Sequence, residues 1–429
     1  GAGFKISGSD SKESELTDHL TALGARVDYP QTAENITNDI DVIVYTAAIR
    51  EDNPELQAAK ASGKPMMTRA QLLGQIMANY ENSIAVSGTH GKTTTTSMIS
   101  QILLETNEVP TISVGGILEA IHSNVHVGSS NRFITEACEY TNSFHEFYPK
   151  FNIILNVEAD HLDFFKDLED VRHSFRRFAE NTSEKGVLII NKDIENWEFF
   201  TSGLGCKSIT YSVEDSTADM TASDISYENG CASFTPVFNG KPLAPVSLSV
   251  PGVHNISNAL SAIALCLEMG VNYDCILSGL KKFGGADRRF QFKGKFKGAT
   301  VIDDYAHHPT EIAASLAAAK NFYYILLVVW FQSHTYTRTL SFLDEFAAAL
   351  SAADLVILPD IYPAREKDIY GVSSKDIAIR LEKLGCEVHY LPTFDECEKF
   401  LSKNIMHNDL LITMGAGDVY LVGEHLLNN

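Results

Sequence analysis

Residues 83–96 read Ser83-Ile84-Ala85-Val86-Ser87-Gly88-Thr89-His90-Gly91-Lys92-Thr93-Thr94-Thr95-Thr96. An apolar run of strand length enters a glycine-rich turn, and Lys92 and Thr93 then open a helical pattern that continues to Glu105. Backbone N–H groups in such a turn, together with the positive end of the helix dipole, surround phosphate oxygens. Lys92 adds a point charge, and Thr93 a hydroxyl suited to Mg²⁺. The general phosphate-loop spacing would place a glycine at position 86, where Val86 stands, so the loop is the variant G-T-H-G-K-T. A tight strand-to-helix turn with a solvent-facing lysine is the plainer alternative; a bound triphosphate explains more of the residues.

The pattern extends in both directions from this loop. On its N-terminal side, strand candidates at 4–7 and 41–46 alternate with helical patterns at 11–23, 54–62 and 68–79, which predicts parallel strands with crossover helices. Beyond it come strand candidates at 132–135, 151–156 and 187–191, then a Thr/Ser-rich stretch, 207–250. Turn signals at Glu228-Asn229-Gly230 and Asn239-Gly240 make that stretch a set of hairpins added to the sheet. Helical patterns at 255–269 and 273–283 lead to Gly284-Gly285, a candidate hinge. Five further strand candidates follow at 300–303, 324–331, 354–359, 387–391 and 409–414. The expectation is an α/β protein of three domains: a Rossmann-like unit at 1–80, a central P-loop-type ATPase at 81–284 and a second Rossmann-like unit at 285–429.

Composition limits what this architecture can bind. Lys and Arg total 34 against 55 Asp and Glu, a net charge of −21, which excludes broad attachment to nucleic acid or to anionic membranes. An anionic ligand must therefore meet a local pocket. The apolar run at 322–331 is far shorter than the roughly 20 residues a bilayer span needs, and no signal-peptide pattern is present, so the expected location is the cytoplasm. Seven cysteines without a C-x-x-C pair indicate neither a disulfide framework nor a zinc site.

Phosphate chemistry of this kind needs oxygen ligands for Mg²⁺ at the strand ends facing the loop. T-E-A-C-E-Y supplies Glu136 and Glu139, and N-V-E-A-D-H-L-D supplies Glu158, Asp160, His161 and Asp163. Any one of these is more often a solvated loop charge; two clusters at strand ends beside a phosphate loop favour metal binding.

These segments resemble the Mur ligases, and the resemblance runs the length of the chain: I-S-G-S-D at 6–10, Y-T-A-A-I at 45–49, N-P-E-L at 53–56, the loop and the two acidic segments, P-G-V-H-N-I-S-N-A-L at 251–260, R-R-F at 288–290, D-D-Y-A-H-H-P-T-E at 303–311, F-Q-S-H-T-Y-T-R-T at 331–339 and M-G-A-G-D-V at 414–419. The alanine-adding branch is the most similar. The resemblance implies that ATP phosphorylates the lactyl carboxylate of UDP-N-acetylmuramate and that the amine of L-alanine attacks the acyl phosphate. It implies that Gly88, Thr89, His90, Gly91, Lys92, Thr93 and Thr94 cradle the phosphates, with Lys92 on the β/γ-phosphates. Thr93 and Glu136 would hold one Mg²⁺ and His161 a second. Asn255 would contact adenine, Arg289 would cross to the ATP phosphates, and Asp304 would lie on the ribose side. Arg338 and His334 would take the amino-acid carboxylate, with Tyr305 or His307 near its amine. Ser9, Asp10, Thr46 and Ala48 would remain as contacts to the nucleotide sugar. The implied partners are these small substrates, with no nucleic acid and no membrane, for a monomer or weak homo-oligomer.

Three departures bear on these expectations. Family members usually begin with a strand and a G-I-G-G type loop for the UDP diphosphate, whereas this sequence starts within what reads as the second strand; a missing β-loop-α unit predicts weak UDP-sugar binding. Several sister ligases carry a carbamylated lysine near the second metal, but 171–181 offers Arg172, Arg176 and Arg177 and no lysine, so no carbamate is expected. Ser333 and Thr335 stand where Pro and Arg are common, beside the amino-acid loop. The competing readings are a ligase that recycles an intact peptide onto the same sugar, folylpolyglutamate synthetase, and a nucleotide-binding protein that has lost sugar binding with the first loop.

Overall fold

The computed structural model describes residues 3–46, 49–228, 230–364 and 366–428. The chain divides into two compact units, Gly1–Asn79 and Tyr80–Asn429. In the first, Ser7–Ser9 pairs in parallel with Arg26–Asp28, and Ile43–Tyr45 with Met66–Thr68. These are two separate two-stranded sheets rather than one. The short strands Arg26–Asp28 and Met66–Thr68 escape sequence reading because three residues carry no resolvable period. The helix expected at 11–23 begins later, at Glu15–Ala22, where the Ser14 side chain and Thr17 form a capping box. Ala48 and Asn229, named above, lie outside the described residues.

The second unit is built around Asn82–Ser87. Ile84, Ala85 and Val86 are fully buried, as a strand covered on both faces requires. It lies between Arg132–Glu136 and Phe151–Ile154, parallel to both. Val187–Asn191 and Lys207–Tyr211 continue the parallel order on one side, and Thr111–Leu118 on the other. The Thr/Ser-rich stretch adds Met220–Glu228, Lys241–Pro242 and Val246–Pro251, each antiparallel to Cys231–Phe238, and with Ser123–His126 antiparallel to Thr111–Leu118 the sheet has eleven strands among the described residues.

Helix Lys92–Leu104 follows the phosphate loop and buries Met98, Ile99 and Ile102. Tyr273–Lys282 packs against it at Gly279, where a Cβ would sit 2.5 Å from Ile102 Cα and 2.8 Å from Ile102 N. Backbone cannot move aside as a side chain can, so Gly279→Ala is expected to cost about 1–3 kcal/mol, measured as a lower urea midpoint at unchanged m-value.

The residues beyond Gly285 form a six-stranded sheet. The antiparallel hairpin Gln291–Phe296 and Ala299–Asp304 is followed in space by Leu410–Met414, Leu327–Phe331, Leu355–Leu358 and Glu387–Tyr390, all parallel. The strand expected at 324–331 starts only at Leu327, and Ile325 and Leu326 are exposed. No helix among the described residues is long and apolar enough to cross a membrane, and the seven cysteines are free.

Candidate functional site

The phosphate loop owes its shape to its two glycines. Gly88 has φ +147°, and a Cβ there would lie 2.8 Å from Leu155 Cβ; Gly91, at φ +82°, precedes the helix with Asn258 Oδ1 2.8 Å from the Cβ position. Asn156 fastens the turn to the end of the neighbouring strand: its Oδ1 accepts from His90 N at 2.7 Å and its Nδ2 donates to the His90 carbonyl at 3.1 Å. The Glu158 backbone N–H donates to Thr89 Oγ1 at 2.9 Å.

Lys92 turns inward. Its Nζ donates to the Gly88 and Thr89 carbonyls and to both oxygens of the buried Glu139, at 3.2 and 2.9 Å. Burial opposes its charge, but Glu139, with Cys138 and Glu136, outweighs that and raises its pKa. Glu139 is therefore the counter-ion of the loop lysine before it is anything else.

From Glu139 the contacts run on without a break. His161 Nε2 is 3.6 Å from Glu139 Oε1 and 3.8 Å from Asp160 Oδ2, and its ring packs on Tyr140. Burial, the largest influence, holds the His161 pKa below its ordinary value despite the two carboxylates, which leaves a neutral imidazole with a lone pair. Asp160 Oδ1 is 2.6 Å from Arg338 Nη2, and both side chains are more than nine-tenths buried, at 7% and 9% exposure. Burial alone would raise the Asp160 pKa; the Arg338 guanidinium, by charge and hydrogen bond, instead holds it far below the carboxylate range. Arg338 Nη1 is 3.3 Å from His334 Nδ1, and the rings of Tyr305, His307 and His334 follow one another at 5.3 and 5.6 Å.

A second group of contacts surrounds a cavity of about 180 Å³ lined by His90, Asn255, Arg289, Asp304, Glu311 and Ser315 among others. His90 Nδ1 is 3.1 Å from Glu311 Oε1, and its Nε2 is 3.6 Å from Glu158 Oε2. Thr310 donates its hydroxyl to Glu158 at 2.7 Å. Arg289 Nη1 is 3.7 Å from Glu311, and the guanidinium lies over the Tyr305 ring. Asp304 accepts from the Ser315 hydroxyl and from Ala306 N, and burial pushes its pKa up to about 6. Asn255 donates to the Pro251 carbonyl at 2.6 Å and accepts from Asn258 at 3.1 Å. His254 beside it is held neutral by burial, at about 4. His308 caps the helix Pro309–Ala319, accepting weakly from Thr310 N at 3.4 Å, which is the structural role of a helix N-cap.

The His90 charge carries a pH signature. Burial works against it, but Glu311 and Glu158 outweigh burial and raise its pKa from 6.5 to about 9. The stability this adds is complete below the ordinary imidazole value and disappears as pH rises through the folded value. The melting temperature of the protein, compared with that of His90→Gln, should therefore show an advantage near pH 6 that is gone by about pH 9.5.

The structure thus joins Lys92, His161, His334 and Arg338 in one line of contacts, and sets Asn255, Arg289 and Asp304 around one cavity. Thr93 is buried at the start of its helix, and Gly116 approaches its methyl group. One Glu136 oxygen accepts from Gly115 N, and the carboxylate also acts on Lys92. The expected metal acids also separate, since Glu139 serves Lys92, Asp160 serves Arg338, Glu158 faces His90 and Thr310, and Asp163 accepts from Tyr140 near the surface. Three ligand-type side chains come within 4.8 Å of one another at His90, Glu158 and His308, of which sequence reading offered only Glu158 as a metal ligand; the His90 charge opposes a cation there. Asn156, Asn258 and Glu311 are also site residues that sequence reading missed, although Asn255 and Asn258 stand at helical i, i+3 spacing. Arg172 and Arg176, on the helix without a lysine, donate to the Glu195 and Phe199 carbonyls. In the first unit, Ser9 donates to Glu55 at 2.6 Å, Asp10 accepts from Ser11, and Thr46 follows the strand Ile43–Tyr45.

Family models match along the chain in order: Mur ligase family, catalytic domain, over 1–81; Mur ligase middle domain over 86–266; and Mur ligase, glutamate ligase domain, over 288–417. The chain is 61% identical over 426 residues to a UDP-N-acetylmuramate–L-alanine ligase of Agathobacter rectalis, covering 99% of this chain and 93% of that protein. It belongs to the Mur ligase family. Among solved structures, this Mur ligase resembles the UDP-N-acetylmuramate–alanine ligase of Thermotoga maritima, with a TM-score of 0.82 at 30% identity and coverage of 99% and 92%. The murein peptide ligase of Psychrobacter arcticus, at 23% identity and a TM-score of 0.73 over 99% and 93% of the chains, shares the fold.

Proposed function

We propose that this Mur ligase joins L-alanine to the lactyl carboxylate of UDP-N-acetylmuramate, converting ATP to ADP and phosphate, in the cytoplasmic synthesis of peptidoglycan precursor. The observation that carries the reading is the unbroken line Lys92–Glu139–His161–Asp160–Arg338, with successive separations of 2.9, 3.6, 3.8 and 2.6 Å. It supports the reading because a buried arginine that pairs with a carboxylate lies a few contacts from the lysine of the phosphate loop, the pairing that activation of one acid and capture of an amino acid requires.

The residues divide the work. The backbone N–H groups of Gly88 to Thr94 and the Lys92 ammonium hold the phosphates, with Lys92 exchanging Glu139 and the loop carbonyls for phosphate oxygens. Asn255 contacts the adenine, Asp304 the ribose side, and Arg289 reaches the phosphates. The Thr93 hydroxyl and the Glu136 carboxylate are hard oxygen donors that suit Mg²⁺, and the neutral His161 is fit to hold a second ion. Bound Mg²⁺ supplies charge neutralisation between carboxylate and triphosphate. Transfer of the γ-phosphoryl group to the lactyl oxygen gives an acyl phosphate, whose phosphate then leaves as the amine attacks the carbonyl carbon. Arg338, with His334, anchors the amino-acid carboxylate, while Tyr305 or His307 takes its amine. Ser9, Asp10, Thr46 and Ala48 contribute to the nucleotide-sugar site.

The test is ADP release with UDP-N-acetylmuramate and L-alanine, each omitted in turn. Release that needs both supports the reading. Release that needs a peptide in place of L-alanine, or none with both present, overturns it.

A further inference from the structure

We propose that the end of the central sheet opposite the phosphate loop is a binding site for a small, multiply charged oxyanion, a phosphate group. Asn82 and Arg132 open two parallel strands and face each other in register. Phe151 and Val187 do the same on the next pair. Lys150 and Lys185 lie one and two residues before that pair, so three cations from three separate segments converge where four strands begin. They line a cavity of about 270 Å³ with Asn82, Phe151, Val187 and Glu268. About nine waters would fill that volume, which is ample for a phosphate or a phosphate monoester.

The charges there are unusual for this chain, in which acids outnumber bases 55 to 34. The one acid lining the cavity, Glu268, is already held by Lys207 at 2.7 Å. Lys150 is steered by a neutral group, Asn82 Oδ1, at 2.9 Å. Arg132 supplies the third cation, with a side chain only 12% exposed and Glu108 2.9 Å from its Nε. Strand Asn82–Ser87 puts this cavity about 20 Å from Gly88, so it is separate from the nucleotide site and does not depend on the reaction proposed above.

Calorimetric titration of inorganic phosphate into the full chain tests this, at fixed ionic strength and with a non-hydrolysable ATP analogue and Mg²⁺ saturating the phosphate loop. One binding event is expected, weakened about tenfold or more in the surface double variant Lys150→Gln/Lys185→Gln, whose fold is checked by its melting temperature. Arg132→Gln should weaken it similarly. Stronger binding of glycerol 3-phosphate than of phosphate would assign the site to phosphate esters, and equal binding to the free ion. Absence of any event with the loop filled overturns the proposal. So does binding that survives in the double variant or is lost instead in Lys92→Met, which would place the ion at the loop.

Discussion

Replacing Lys92 by methionine lowers kcat by about 10²–10³-fold, the scale of losing one preorganised charge at a phosphoryl group. The side chain packs against Glu139 and two loop carbonyls, so methionine fills the space while removing the charge. The same substitution leaves Glu139 buried without its counter-ion, at a cost of about 3–5 kcal/mol. Lys92→Met/Glu139→Gln separates the two effects. The double variant should recover much of the lost stability in a urea titration and none of the lost turnover in the ADP-release assay. Recovery of turnover would mean that Lys92 acts only as the partner of Glu139.

Arg338→Lys raises the KM for L-alanine by about 10²–10³-fold, with the KM for ATP changed little. In the role proposed for Arg338, an ammonium cannot reproduce a fork that holds Asp160 through Nη2 at 2.6 Å and takes the substrate carboxylate with its remaining donors. Asp160→Asn should raise the same KM more modestly, because the amide still accepts a hydrogen bond but no longer fixes the guanidinium by charge. A steady-state comparison with each substrate varied in turn distinguishes this from general damage, which would move both constants or kcat.

The phosphate loop could be read from sequence because its chemistry is local. The strand, the two glycines, the lysine and the helix start all lie within a dozen residues, and the positive φ values of Gly88 and Gly91 meet a demand that glycine satisfies without strain. Long apolar strands such as Leu327–Phe331 and Leu410–Met414 were legible for the same reason, although the first begins three residues late. Residues 324–326 are as apolar as the strand, and only the position of the sheet edge decides where pairing starts. Arg26–Asp28 and Met66–Thr68 in the first unit, and Thr111–Leu118 with its bulged antiparallel partner Ser123–His126, carried no usable period.

The acids show where sequence reading ends. Glu136, Glu139, Glu158 and Asp160 look alike as strand-end carboxylates, and each has a different occupation in the folded chain. Glu136 accepts from the Gly115 backbone, Glu139 neutralises Lys92, Glu158 faces His90 and Thr310, and Asp160 binds an arginine 178 residues away. By itself the sequence determined the α/β order, the phosphate loop and the residue types available for ligation, since these follow from local periodicity and backbone preference. Only the tertiary structure decided which charge meets which, because a carboxylate's role depends on the cation and the burial that distant segments bring to it.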